Sequence, residues 1–223
     1  MAIAFFDFDK TLLSVNSARL WIRWQREQKR MSAWQMARGG FWITLYHLGI
    51  ANVESAMRRA VKHDFAGMRQ SDLQRQVQAF YQQEIQGRYR PGALAALHEQ
   101  RAQGNRLVLL TSAMQELANL ATQALELDDC LCTHLEVDAQ GCYTGRVREP
   151  MCFGGGKLEL ARVFAEQHGV PLTECRFYTD SVWDLPALRR VGHPVAVNPD
   201  PRLRRKAKRH GWPIEDWGQA VPQ

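Results

Sequence analysis

"AIAFFDFDKTLL", residues 2–13, carries the decision about this chain. Five largely apolar residues run into Asp7 and Asp9, one residue apart, and then Lys10 and Thr11. The apolar run has the length and composition of a buried strand. Its carboxylate ending brings no stability, because burial penalises each charge and each repels the other. Asp7 and Asp9 therefore point to chemistry at the end of a strand.

Working outward, the pattern changes twice. From about Ser14 to Arg90 the spacing predicts helices, with apolar residues three and four apart in "VNSARLWIRWQREQ", "VESAMRRAVKH" and "SDLQRQVQAFYQQEIQ". Ser71 is the expected N-cap of the last of these, and Gly67 and Gly87 the expected breaks. From Pro91 onward helix and strand alternate. "PGALAALHEQRAQG" reads as a helix with Pro at its start and Gly at its end. Strands follow in "NRLVLLTSA", "CRFYTD" and "PVAVN", and helices in "MQELANLATQALEL", "GKLELARVFAEQHG", "WDLPALRRVG" and "PRLRRKAKRHG". "CLCTHLEVDAQGCYTGRV" reads as a hairpin turning at Ala139-Gln140-Gly141. This is an α/β pattern: a parallel sheet with helices on both faces, from residues 1–14 and 90–223, carrying a helical cap at 15–89.

Composition narrows the class. With 45% hydrophobic and 23% charged residues the chain is an ordinary globular one. The N-terminus lacks the basic start of a secretory signal, and the weakly polar run 39–53 is short of a membrane span. A cytoplasmic location is expected, without stable membrane insertion. Five cysteines without a signal read as reduced thiols, and Cys130-x-Cys132 has no second ligand pair of zinc spacing. Residues 14–90 hold 13 Lys/Arg against five Asp/Glu, while the aspartate-bearing remainder is slightly acidic. A basic element facing a cation-binding site favours an anionic substrate.

In parallel sheets, ligands bind past the carboxyl ends of the strands. Three strands here end in Asp7 and Asp9, in Thr111 and Ser112, and in Asp180, and a helix opens with Lys157 after three glycines. Carboxylates with open positions suit Mg²⁺, which keeps waters and binds substrate phosphate. A hydroxyl and an ammonium suit the remaining phosphoryl oxygens. One aspartate can serve as nucleophile and another as acid and base, which gives the pair two duties.

"DFDKT" (7–11), "LLTS" (109–112), Lys157 and "DSVWD" (180–184), in that order, resemble the four motifs of the haloacid dehalogenase superfamily. The helical insert, "QGCYTG" (140–145) and "VAVNPDPRL" (195–203) resemble its phosphoserine-phosphatase-like branch, subfamily IB, with a C1 helical cap. The likeness covers essentially the whole chain. It implies a Rossmann-like core and a Mg²⁺-dependent phosphatase acting through an aspartyl-phosphate. It implies Asp7 as nucleophile and metal ligand, and Asp9 as general acid/base with its backbone carbonyl on the metal. Thr111, Ser112 and Lys157 would hold the phosphoryl group, Asp180 the metal, Thr11 would support the first loop, and Asp184 would orient the metal site through water or Lys157. Histidinol phosphate or a phosphoserine-like metabolite is the implied substrate class. Departures are Lys10 where many relatives have Gly, and Trp183 where Asn is common, the latter able to reshape the substrate side. Asn16 stands where phosphoserine phosphatases carry a glutamate, which weighs against phosphoserine.

Other readings fit less well. "FGGGK" fails the nucleotide-binding P-loop twice, at Met151 and Leu158. The basic run 202–210 reads as a solvated terminal helix, and no nucleic-acid partner is expected. The aromatics Trp34, Phe41, Trp42 and Tyr46 read as cap core or as its substrate-facing side. A phosphotransferase using the same aspartyl-phosphate, or a catalytically silent module that binds an anionic partner, remains the alternative. Oligomeric state is not legible.

Overall fold

The computed structural model describes residues 2–28 and 53–219, so the aromatic stretch around Trp34, Phe41, Trp42 and Tyr46 lies outside the described residues. The strands in chain order are β1 (Ile3–Phe6), β2 (Arg106–Met114), β3 (Asp129–Thr133), β4 (Leu135–Val137), β5 (Tyr143–Val147), β6 (Arg176–Thr179), β7 (His193–Val197) and β8 (Ile214–Glu215). The described helices are α1 (Ser17–Glu27), α2 (Val53–Phe65), α3 (Gln70–Phe80), α4 (Pro91–Ala102), α5 (Gln115–Ala124), α6 (Gly155–Gln167), α7 (Leu185–Leu188) and α8 (Pro201–His210).

All four residues of β1 are buried, because the sheet is covered on both faces. Ala4 and Phe6 enter one hydrophobic cluster with Leu107, Leu109 and the apolar sides of α4 and α5. Ile3 and Phe5 enter the other, with Val108, Leu110 and residues of α6, α7 and α8. The six-stranded sheet runs β3-β2-β1-β6-β7-β8 with every neighbouring pair parallel. The chain winds outward from β1 in both directions. The carboxyl end of β1 is thus the switch point at which such sheets open a ligand crevice.

The helical segment leaves and re-enters the sheet side by side. Leu13 and Tyr89 form an antiparallel bridge, Ser14 N–H donates to Arg88 O at 3.0 Å, and Arg90 N–H donates to Leu12 O at 2.9 Å. Trp21 and Trp24 of α1 pack on Phe80 of α3 at centroid distances of 5.1 and 5.8 Å. The loop after α2 lies against β5, with Gly67 N–H donating to Tyr143 O at 2.8 Å. Arg58 of α2 grips Glu149 with both guanidinium nitrogens, at 2.5 and 3.1 Å, on the loop that leads toward Lys157.

Three sequence expectations need correction. The expected single hairpin over 130–147 is divided. β3 pairs with β2 as the parallel edge of the main sheet, and only β4 and β5 form a hairpin. The turn is organised by Asp138, whose carboxylate accepts from Gln140 and Cys142 N–H at 2.9 Å each. Alternating apolar residues run through both halves, so the pattern alone could not show where the chain changes sheets. Ser71 is not an N-cap: α3 starts at Gln70, with Arg69 in the N-cap position and no side-chain cap, because the Arg69–Cys142 bridge fixes the chain just before it. The helix expected over 183–192 shrinks to a 3₁₀ turn at Val182–Asp184 and the short α7. β8 was not expected at all. Among the described residues no helix is long and apolar enough to cross a membrane.

Candidate active site

The loop after β1 is shaped by backbone as much as by side chains. Asp7 N–H donates to Tyr178 O at 2.9 Å, prolonging the β1–β6 ladder by one residue. The chain then turns sharply, and Lys10 takes the left-handed conformation at φ 58°. The turn favours a residue without a Cβ penalty, as glycine is, and Lys10 bears that penalty instead. The buried Arg90 braces the turn, donating from Nε to Lys10 O at 3.2 Å and from Nη1 to Gly218 O.

Lys157 sits in the first turn of α6 and is buried. Its Nζ donates to Asp7 Oδ1 at 2.6 Å and to Asp184 Oδ2 at 2.9 Å. The glycines before it make this possible. A Cβ on Gly156 would stand 1.9 Å from Met151 O, a distance no side chain can take. Thr179 Oγ1 donates to Asp184 Oδ2 at 2.6 Å and fixes its rotamer. Thr11 ties the motifs together, donating to Asp7 Oδ2 at 3.3 Å and accepting from Asp180 N–H at 3.0 Å. Phe6 pairs with Leu109, which sets Thr111 just beyond the level of Asp7. Thr111 is buried, its hydroxyl accepting from Ala113 N–H at 3.0 Å, and Ser112 is half-buried beside it.

Asp9 stands apart from this network. Its carboxylate accepts from Ser17 N–H at 2.6 Å, at the start of α1. The candidate acid is thus anchored to the first helix of the insert, favourable for an anion at a helix N-terminus. Asn16 accepts from Arg19 N–H at 3.0 Å and so is occupied as the N-cap of α1.

Electrostatics mark the site. Asp7, Asp180 and Asp184 are buried against a single buried ammonium, Lys157. Burial pushes Asp7 up to about 7; Lys157 pulls the other way and Asp184 adds to the rise. Burial, then Asp7, raises Asp180 well above the ordinary range, and burial also raises Asp9. Burial acts against the charge on Lys157, but Asp184 and Asp7 together overcome it and hold the ammonium protonated. Lys157 bonds Asp7 and Asp184, while Lys10 and the buried Arg90 act on Asp180 at longer range. Among the described residues no three His, Cys, Asp or Glu side chains come together as a ready metal cage. Asp7 and Asp180 offer carboxylate oxygens alone, the donor type that suits a hard cation that keeps waters and takes phosphate, as Mg²⁺ does.

Three positioning residues escaped the sequence reading, Arg90 at the Asp7 loop among them. Thr179 carries no motif signal, since it is one strand residue among others. Asp200 accepts from Val182 N–H at 2.7 Å while capping α8 through Arg202 and Leu203 N–H at 2.7 and 2.9 Å. The Asp-Pro pair at a helix start was the available signal for it.

Comparison with known proteins agrees with this fold. The sequence profile of the haloacid dehalogenase-like hydrolases matches residues 4–189, and the chain belongs to that family. A phosphoserine phosphatase of Mycobacterium tuberculosis is 39% identical over 114 residues, 51% of this chain and 37% of that protein. A histidinol-phosphatase of Neisseria meningitidis is 24% identical over 216 residues, 95% of this chain and 97% of that one. The crystal structure of a Bordetella pertussis protein of unknown function superposes with a TM-score of 0.89 at 26% identity, covering 97% of this chain and 99% of that one. The chain spans less than half the length of the first curated relatives it matches.

Proposed function

We propose that this chain is a Mg²⁺-dependent phosphomonoesterase that hydrolyses a small organic phosphate through a phosphorylated Asp7. The observation that carries the reading is the buried Asp7–Lys157–Asp184 triad, with Asp180 and Thr111 grouped at the same sheet edge.

In this reading an Asp7 carboxylate oxygen attacks phosphorus and the bond to the leaving oxygen breaks. Asp9 gives its proton to that oxygen, for which its raised proton affinity suits it. Asp9 then takes a proton from a water that attacks the same phosphorus, releasing inorganic phosphate and restoring Asp7. Lys157, Thr111 and Ser112 hold the phosphoryl oxygens, and Asp184 and Thr11 keep Lys157 and Asp7 in place. Mg²⁺, held by Asp7, Asp180 and the Asp9 carbonyl, would supply charge neutralisation of the phosphate oxygens. Residues 15–89 act as the cap over the leaving group. The names of the relatives support phosphoserine or histidinol phosphate as the substrate class, and Asn16, committed to capping α1, disfavours the former. A cytoplasmic site of action fits such metabolites.

The test is phosphate release from a panel holding phosphoserine, histidinol phosphate, sugar and glycerol phosphates, with Mg²⁺ titrated. Wild type is expected to need Mg²⁺, and Asp7→Asn to lose roughly a thousandfold or more in kcat. Mg²⁺-independent turnover, or full activity in Asp7→Asn, would refute the reading. Transfer of the phosphoryl group to added alcohols in place of water would move it to a phosphotransferase.

A further inference from the structure

Arg90 holds the loop after β1 at the Lys10 carbonyl, and its other bond goes to Gly218 O, 128 residues further along the chain. The segment around Gly218 is itself firmly seated. β8 pairs with β7 at Ala196–Ile214 and Val197–Glu215. Asn198 then grips the next two residues, its Nδ2 donating to Asp216 Oδ1 at 2.6 Å and its Oδ1 accepting from Trp217 N–H at 3.0 Å. Trp217 O accepts from Gly92 N–H at 3.0 Å. The fit at Gly92 is close, since a Cβ there would stand 2.6 Å from both Cα and Cβ of Trp217. The buried Trp217 ring meets Tyr178 at a centroid distance of 5.2 Å, and Tyr178 stacks on Phe6 at 4.8 Å. Phe6 precedes Asp7, and Tyr178 O accepts from Asp7 N–H at 2.9 Å. One short segment thus reaches the Asp7 loop by two routes, through the rings of Tyr178 and Phe6 and through Gly218 O and Arg90.

We propose that Trp217 and Gly218 form a positioning strap of the candidate active site, which sets, through Tyr178 and Arg90, the backbone that carries Asp7 and Asp9. The inference rests on the phosphatase reading for what that backbone does. Its basis is distinct: the strap touches no reacting group, but its neighbours are the residues that flank Asp7 and the carbonyl one residue past Asp9. A nucleophile displaced by about 1 Å can lose roughly a hundredfold in rate, so support removed from the reacting atoms counts. The close approach at Gly92 locks the strap to the start of α4, where the chain returns from the helical insert.

The experiment reads hydrogen exchange by mass spectrometry on the metal-free full chain, beside Mg²⁺ affinity by calorimetry. Trp217→Ala removes the ring, and Gly92→Ala drives the strap off without altering its sequence. Both are expected to speed exchange at 214–218 and at 7–13, to leave α6 as in wild type, and to weaken Mg²⁺ binding roughly tenfold. Trp217→Phe, which keeps an aromatic ring, is expected to restore most of both. Arg90→Met is expected to speed exchange at 7–13 while 214–218 stay protected. Release of 214–218 with exchange at 7–13 unchanged would overturn the proposal. So would equal acceleration in α6, which would reduce the strap to general stability, or a Gly92→Ala chain whose strap stays protected. Exchange needs neither metal nor turnover. A chain that passes this test yet binds no Mg²⁺, or releases no phosphate from any ester, would refute the phosphatase reading and leave the strap in place.

Discussion

Lys10 shows how one residue can carry both a signal and a cost. Held at φ 58°, it bears left-handed strain of about 1–2 kcal/mol, against roughly 0.5–1 kcal/mol for the extra unfolded freedom of a glycine. Lys10→Gly is therefore expected to raise unfolding stability by about 0.5–1 kcal/mol, read from urea denaturation. A loss of stability would mean that the lysine side chain contributes more than its backbone costs. Asp7, Thr111 and Asp180 stood out in the sequence as charged and hydroxyl residues at strand ends, whereas Lys157 and Asp184 were singled out only by the resemblance of the four ordered motifs. Their neighbours were not. Thr179 fixes Asp184, and Arg90 braces the Asp7 loop, yet each looks ordinary until the fold brings it to its partner. Asp9 was legible as a candidate acid, but its bond to Ser17 N–H was not, because that depends on where α1 begins.

At the scale of elements, the segments that carry the site are fixed by their ends. Asp200 holds the start of α8 and, through Val182 N–H, the turn that presents Asp180 and Asp184. Asp200→Ala is expected to cost about 1–2 kcal/mol of stability, from the lost cap. It is also expected to weaken Mg²⁺ binding, with Asp200→Asn restoring much of the stability; both are read by thermal melting with and without Mg²⁺. Stability lost with Mg²⁺ affinity untouched would confine Asp200 to capping. Helices α4, α6 and α8 were readable because Pro, Gly and apolar spacing agreed at each. β3 and α7 were misread for a shared reason. Short apolar runs look alike in sequence, and whether one joins the sheet edge, a hairpin or a single turn is decided by the strand that waits beside it.

At the scale of the molecule, the fold gathers buried charge at the carboxyl end of β1 and holds it there by the surrounding structure. Asp7 titrates near 7 in the folded chain, against an ordinary 3.8. The folded state keeps a proton that the unfolded state releases, so this contribution to stability is complete below about 3.8 and is lost as pH rises through about 7. In EDTA, the melting temperature of wild type relative to Asp7→Asn is expected to fall between pH 5 and 8. Added Mg²⁺ is expected to restore wild type, and by more at pH 8 than at pH 5. A pH-independent difference would place the charge cost elsewhere. The parallel sheet and its switch point followed from the alternation of strand and helix after Pro91. The seating of the helical segment against β5 did not, because it rests on contacts between residues far apart in sequence.

The central claim is that Asp7 carries the phosphoryl group. The most direct test quenches the enzyme with acid during turnover of its best substrate, reduces any acyl phosphate with borohydride, and reads the peptide holding residues 2–19 by mass spectrometry. The account predicts homoserine at position 7, dependent on substrate and Mg²⁺, with Asp9 unchanged. Reduction at another residue, or none at all while phosphate is being released, would contradict it.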